Sequence, residues 1–223
     1  MTRLVALAAA VQLSAWAGAC QPAESMRAGS SSEFGELPAA NEPVDLNTID
    51  YPLLAEAIFH ETNGRRSKND LEALEHLPAL DRASCGHAEA MVEQDFFAHR
   101  NPGEPGLETP ADRVRAQGLE LRVVAENIAE VFGLRYQSGE RVYLRREDGR
   151  TLFSKEPGGE PLGLRSYLEI AETLLDGWMS SEGHRANILS RRPEYFGSGC
   201  ELGRAEEEGM PMFVCVQLFF SPL

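Results

Sequence analysis

Positive charge is scarce in this sequence. Lys and Arg number 21 against 35 Asp and Glu, a net charge of -14. A field of that sign repels nucleic-acid phosphates and anionic lipid surfaces, so no nucleic acid is expected among the partners. Long apolar runs are missing as well. Leu4 to Val11 is too short to cross a bilayer as a permanent helix, and no second such run follows. There is no internal repeat and no His-Glu-x-x-His pair to announce a local metal site. Cysteine is limited to Cys20, Cys85, Cys200 and Cys215. What is present suffices for a globular body: 43% of the 223 residues are hydrophobic, enough to pack a core in one domain of ordinary size.

The N-terminus has the layout of a secretory leader. Arg3 supplies positive charge, Leu4 to Val11 the apolar segment, and Ala17-Gly18-Ala19 the small residues that precede a cleavage point. Residues 1–19 are therefore expected to be a signal peptide. Ala-Gly-Ala-Cys is similar to a bacterial lipoprotein box, which makes Cys20 the expected lipidation site. The competing reading is ordinary cleavage before an incidental Cys20. In either case the mature chain works outside the cytoplasm, as an envelope lipoprotein or a secreted protein, with membrane attachment only through Cys20. Residues 20–48 are rich in Ser, Gly, Glu, Pro and Ala and are expected to be a flexible tether. The folded domain is assigned to residues 49–223.

Within that domain, helical spacing is expected over Tyr51 to Asn63 and again after Pro78. Thr109-Pro110-Ala111-Asp112 is a helix start, with Gly118 as its stop. Val123 to Val131 reads as a strand in which Glu126-Asn127 is the polar interruption. Residues 141–147 and 150–154 flank Asp148-Gly149, the signature of a two-residue hairpin turn. Ser166-Tyr167-Leu168-Glu169 is a capping box that opens the longest clear helix. Its buried stripe ends at Trp178, and a short helix begins near His184. Tyr195 to Leu202 and Met212 to Phe220 are two strands joined by an acidic loop. Nearly unbroken hydrophobicity in the second implies cover on both sheet faces. The expected architecture is α+β, a three-layer α-β-α sandwich. Cys200 and Cys215 fall on the paired strands and are expected to form a disulfide, while the odd count of cysteines beyond Cys20 leaves the state of Cys85 open.

The densest signals are His87-Ala-Glu-Ala-Met91, Phe96-Phe-Ala-His99, Ala125-Glu126-Asn127-Ile128, the run from Trp178 through Gly183-His184-Arg185 to Leu189, and Tyr195-Phe-Gly-Ser-Gly199. In this order they resemble the bacterial branch of the CAP superfamily, the cysteine-rich secretory, antigen-five and pathogenesis-related proteins with their SCP-like domain. The resemblance implies the CAP type of sandwich, here with an inserted β-hairpin near residues 133–165. It also implies a central cleft lined by His99 and Glu126, with His184 joining them as the Gly-His-Arg histidine. This chain departs from many eukaryotic members at two places: Ser181 stands three after Trp178, and the last strand offers Gln217 rather than a histidine.

Two imidazoles with a carboxylate are ligand types of Zn²⁺, so a divalent metal at His99, His184 and Glu126 is one expectation. A hydrogen-bonded network that only fixes the cleft walls is another. The resemblance therefore implies a binding or interaction module for a protein or lipid ligand. Its rivals are a metal-dependent, peptidase-like hydrolase with Glu126 as base, and a lipid or sterol binder using apolar surface near Phe96, Phe97 and Tyr195. Asp112-Arg113 and Arg185 read as structural, and His87 as a helix-surface or boundary histidine.

Overall fold

In the computed structural model of the chain, the described residues are 20–23, 26, 31–147, 150–204 and 209–223. The elements run in chain order as α1 (Ser31–Gly35), α2 (Pro38–Asn41), α3 (Tyr51–Ser67), β1 (Glu75–His76), α4 (Pro78–Glu93), α5 (Pro110–Ala116), β2 (Leu121–Phe132), β3 (Tyr143–Glu147), β4 (Arg150–Ser154), α6 (Tyr167–Ser180), α7 (Glu182–Ile188), β5 (Tyr195–Arg204) and β6 (Pro211–Pro222). Four strands form one sheet in the order β1-β5-β6-β2, and β3-β4 make a separate hairpin.

Strand β6 explains the layering. Phe213, Cys215 and Phe219 belong to one buried cluster with residues of α3, α6 and α7. Val214, Val216, Leu218 and Phe220 belong to a second with Leu80, Ala83, Ala88 and Met91 of α4 and Val114 of α5. Successive side chains of a strand point to opposite faces, so the continuous apolar run feeds two helical layers at once. The result is the α+β three-layer sandwich expected.

Local signals account for most boundaries. Both α5 and α6 open on complete capping boxes, Thr109 with Asp112 and Ser166 with Glu169. Helix α3 runs past its expected end at Asn63, because Asn63 turns its amide to the backbone of Leu74, accepting from its N–H and donating to its carbonyl. The two-residue β1, which no periodicity announces, pairs in parallel with the start of β5. In the hairpin, Glu147 is the register partner of Arg150, as the turn signature requires; Asp148-Gly149 itself lies outside the described residues. The inserted segment packs in a small separate cluster, with Leu134, Tyr136 and Phe153 against Met210 just ahead of β6. Arg165 ties it down by donating to the carbonyls of Leu134 and Tyr136.

Helix α4 sits directly on β5. A Cβ on Gly197 would stand 2.4 Å from the Leu80 Cβ, and one on Gly199 would stand 2.5 Å from the Cys85 backbone nitrogen. Only glycine permits that approach, which is the physical content of Tyr195-Phe-Gly-Ser-Gly199.

Two expectations are corrected. The tether assigned to residues 20–48 is part of the body over its described stretches: Phe34, Ala40 and Val44 are in the main core, and Val44 donates its backbone N–H to the Arg165 carbonyl. Its Ser- and Pro-rich composition conceals three well-spaced anchors. Cys20 is joined to Cys85 in a disulfide, and one sulfur cannot carry both that bond and the thioether of a lipid anchor. The same bond gives Cys85 its partner; all four cysteines are paired, since Cys200 and Cys215 are bridged as register partners on β5 and β6. Closing the 65-residue span between Cys20 and Cys85 would stabilise the fold by about 4 kcal/mol in the chain-entropy account.

Candidate functional site

Strand β2 is an outer strand of the sheet, and its polar dipeptide faces two ways. Glu126 turns toward α5, where its carboxylate accepts from Arg113 Nη2 at 2.6 Å and from His99 Nδ1 at 2.9 Å. Asn127 turns toward α6 and α7. There it donates to Gln217 Oε1 at 3.0 Å and to the His184 carbonyl at 3.3 Å, and accepts from Asn187 Nδ2 at 2.9 Å. Gln217 continues the chain inward, donating to Thr62 Oγ1 at 2.8 Å. The position that lacks a histidine thus holds an amide that links β6 to α3.

The free edge of β2 is closed by side chains instead of another strand. Trp178 Nε1 donates to the Ile128 carbonyl at 3.1 Å, and Asn187 Nδ2 reaches the Glu126 carbonyl at 3.3 Å. An outer strand whose alternate carbonyls are capped this way cannot recruit another β-strand at those positions.

Arg113 is the member that sequence reading placed in a supporting role. Its guanidinium also donates to the carbonyls of Leu107, Glu108 and His99. It therefore clamps the loop after α4, the start of α5 and the middle of β2 together. Its side chain is 3% exposed and that of Glu126 1%, so the ion pair is fully enclosed. His99, by contrast, keeps half its side-chain surface in solvent.

A carboxylate can only accept, so the Nδ1 of His99 carries the donated proton. In the neutral ring Nε2 is then an acceptor at the exposed rim. His184 lies within electrostatic reach: burial, and then the charge of His99, hold its protonation below the ordinary range. His87 is no surface residue. It is buried, bonded through Nε2 to the Ala98 carbonyl, and pushed down to about 4, first by burial and then by the Arg113 charge. His60 stacks on Phe34, and His76 pairs with Asp81 at 2.7 Å, so neither joins the site.

The metal expectation fits this arrangement poorly. Both oxygens of Glu126 are engaged, one by a permanent cation, which takes the carboxylate out of the expected ligand set and leaves His99 only its outward Nε2. Among the described residues no group of three or more His, Cys, Asp or Glu could hold a metal ion. The same geometry encloses the Glu126 carboxylate, 1% exposed, behind His99 and Arg113, whereas a general base must reach a substrate or water. The apolar surface near Phe96 and Phe97 forms a pocket of about 240 Å³ with Met91, Met212 and Val214, bordered by Asp95 and Glu130. That is below the roughly 300–1,000 Å³ of small-molecule sites. Tyr195 packs against Phe220 and is not part of the pocket lining.

The three-layer sandwich is of the CAP type. Residues 59–219 match the CAP family, the cysteine-rich secretory protein family, and the chain belongs to it. It is 24% identical over 138 residues to the uncharacterized protein YkwD of Bacillus subtilis (strain 168), a match covering 62% of this chain and 38% of YkwD. Among solved structures, it is similar to an extracellular SCP-domain protein of Bacillus anthracis str. Ames, at 20% identity and a TM-score of 0.49, over 76% of this chain and 41% of that one. An outer surface protein of Borrelia burgdorferi aligns at 15% identity with a TM-score of 0.49, over 82% of this chain and 99% of that one. The chain spans well under half the length of YkwD and of the B. anthracis protein.

Proposed function

We propose that this CAP domain acts outside the cytoplasm as a binding module, and that the rim formed by His99 and His184 is its contact surface. The observation that carries this reading is the enclosure of Glu126, held between His99 and Arg113. A carboxylate fixed in that way orients an imidazole and leaves the Nε2 lone pair of His99 outward. Such a rim suits a partner that presents hydroxyl or amide N–H donors, as a protein surface does. The leader-like residues 1–19 support export of the chain.

The reading is tested on purified mature protein by metal analysis, a broad peptidase assay and mass spectrometry of co-purified ligand. The expected result is sub-stoichiometric metal and no turnover, with a ligand or partner whose retention falls by about tenfold in His99→Ala, the equivalent of about 1.4 kcal/mol. Stoichiometric zinc accompanied by peptide cleavage would replace the binding module with the hydrolase.

A further inference from the structure

The N-terminal segment makes a second, unrelated set of contacts along helix α4. Cys20 is bridged to Cys85, while Ala23 donates its backbone N–H to Asp81 Oδ2 at 3.2 Å. Cys20 and Ala23 are both buried, and the segment runs along α4 in the opposite direction. At its start, the Cys20 nitrogen stands 2.9 Å from Glu201 Oε2. The other oxygen of Glu201 accepts from the Tyr51 hydroxyl at 3.3 Å.

The surroundings of that carboxylate are acidic. Glu201 is pushed up by burial, and Glu93 adds to the shift. Glu89 is pushed up to about 7 by burial and by Glu201 and Glu93. Tyr51 is raised by burial and by Glu201. The ion pairs of the described residues bring no Lys or Arg to these three carboxylates. Three carboxylates around a half-buried site call for a cation, and the nitrogen already within bonding distance is a neutral amide while residue 19 is attached.

We propose that cleavage falls between Ala19 and Cys20, and that the freed α-ammonium of Cys20 is the counter-ion of Glu201. Hydrolysis of that one peptide bond consumes a water and leaves a carboxylate on Ala19 and an amine on Cys20. Ala17-Gly18-Ala19 supplies the small residues at the expected places before the cut. The Cys20–Cys85 disulfide holds the new terminus where the amine must sit. Processing thereby converts a backbone amide into a positive charge that no Lys or Arg among the described residues supplies by an ion pair to this corner. The inference rests on export of the chain, as proposed above, and is independent of the His99 rim.

The full chain, expressed with its leader in an exporting bacterium, tests it. Intact mass and non-reducing peptide mapping are expected to show a chain that starts at Cys20, without acyl groups, with Cys20 linked to Cys85. Titration of the α-amine by ¹⁵N NMR is expected to give a value at least about one unit above the usual 7.7–8.0, because Glu201, Glu89 and Glu93 favour its charged form. In Glu201→Gln the value should fall back toward that range. A chain made with one extra residue ahead of Cys20, which moves the charge away without touching the core, should melt about 2–4 °C lower than the mature chain. An amine that titrates normally in the wild-type protein overturns the ion pair. A mature chain beginning elsewhere, or carrying lipid on Cys20, overturns the cleavage assignment, and a chain retained in the cytoplasm with its leader intact overturns export as well.

Discussion

Glu126 and Asn127 are consecutive in the chain and fasten opposite layers of the sandwich. The carboxylate of Glu126 holds Arg113 and His99 on the α5 side, while the amide of Asn127 holds Gln217 and Asn187 on the other. A strand alternates faces residue by residue, so two adjacent polar residues are the minimum that can tie both layers to one strand. Glu-Asn at this place is a fastening between layers.

The enclosed Arg113–Glu126 pair makes the first prediction. Glu126→Gln leaves a guanidinium buried beside a neutral amide, and Arg113→Met leaves a buried carboxylate. Each should cost about 3–5 kcal/mol in urea unfolding. The double variant should cost clearly less than the sum, because no charge is then left unpaired. Additive losses would mean that the two residues act separately.

Glycine at the α4–β5 contact makes the second. Gly199→Ala drives a Cβ into the Cys85 backbone and should destabilise by about 1–3 kcal/mol, the usual cost of overpacking. Gly86→Ala is the control: its Cβ would meet nothing within 4 Å, and in the middle of α4 alanine should add up to about 1 kcal/mol. Equal effects from the two changes would show that close approach does not govern this surface.

The buried His87 sets a pH dependence. Its folded value of about 4 lies below the ordinary 6.5, so between those values the unfolded chain binds a proton that the folded chain does not. Its contribution to stability is complete above pH 6.5 and is lost as the pH falls toward 4. The difference in unfolding free energy between wild type and His87→Gln, followed from about pH 7.5 to about pH 4, should shrink or reverse across that window. A difference that stays constant would place His87 outside the buried core.

Much of this was legible in residue patterns. Thr109 and Asp112, Ser166 and Glu169, and the Glu147–Arg150 register are local devices whose chemistry acts within a few positions. The two-sided burial of β6 could be read from its unbroken hydrophobicity. His99, Glu126 and His184 came from resemblance, since nothing local in sequence relates positions so far apart. The Cys20–Cys85 bridge was hidden because the leader-like run before Cys20 assigned that sulfur to a lipid, which left Cys85 without a partner. Docking of residues 31–48 was hidden because Phe34, Ala40 and Val44 are spaced without a helical or strand period. Arg113 could be recognised as structural, but its partner Glu126 sits on another element, and only the fold brings a guanidinium beside that carboxylate.

The protonation of the His99 ring decides most directly whether Glu126 serves as a fastening. Long-range ¹H–¹⁵N NMR of the wild-type protein at about pH 8, above the ordinary imidazole range, distinguishes the two neutral forms. The account requires the proton on Nδ1, donated to Glu126, with Nε2 unprotonated and unmoved by equimolar zinc. A proton on Nε2 would contradict it, and an Nε2 resonance that shifts in step with zinc would return a metal to the His99 rim.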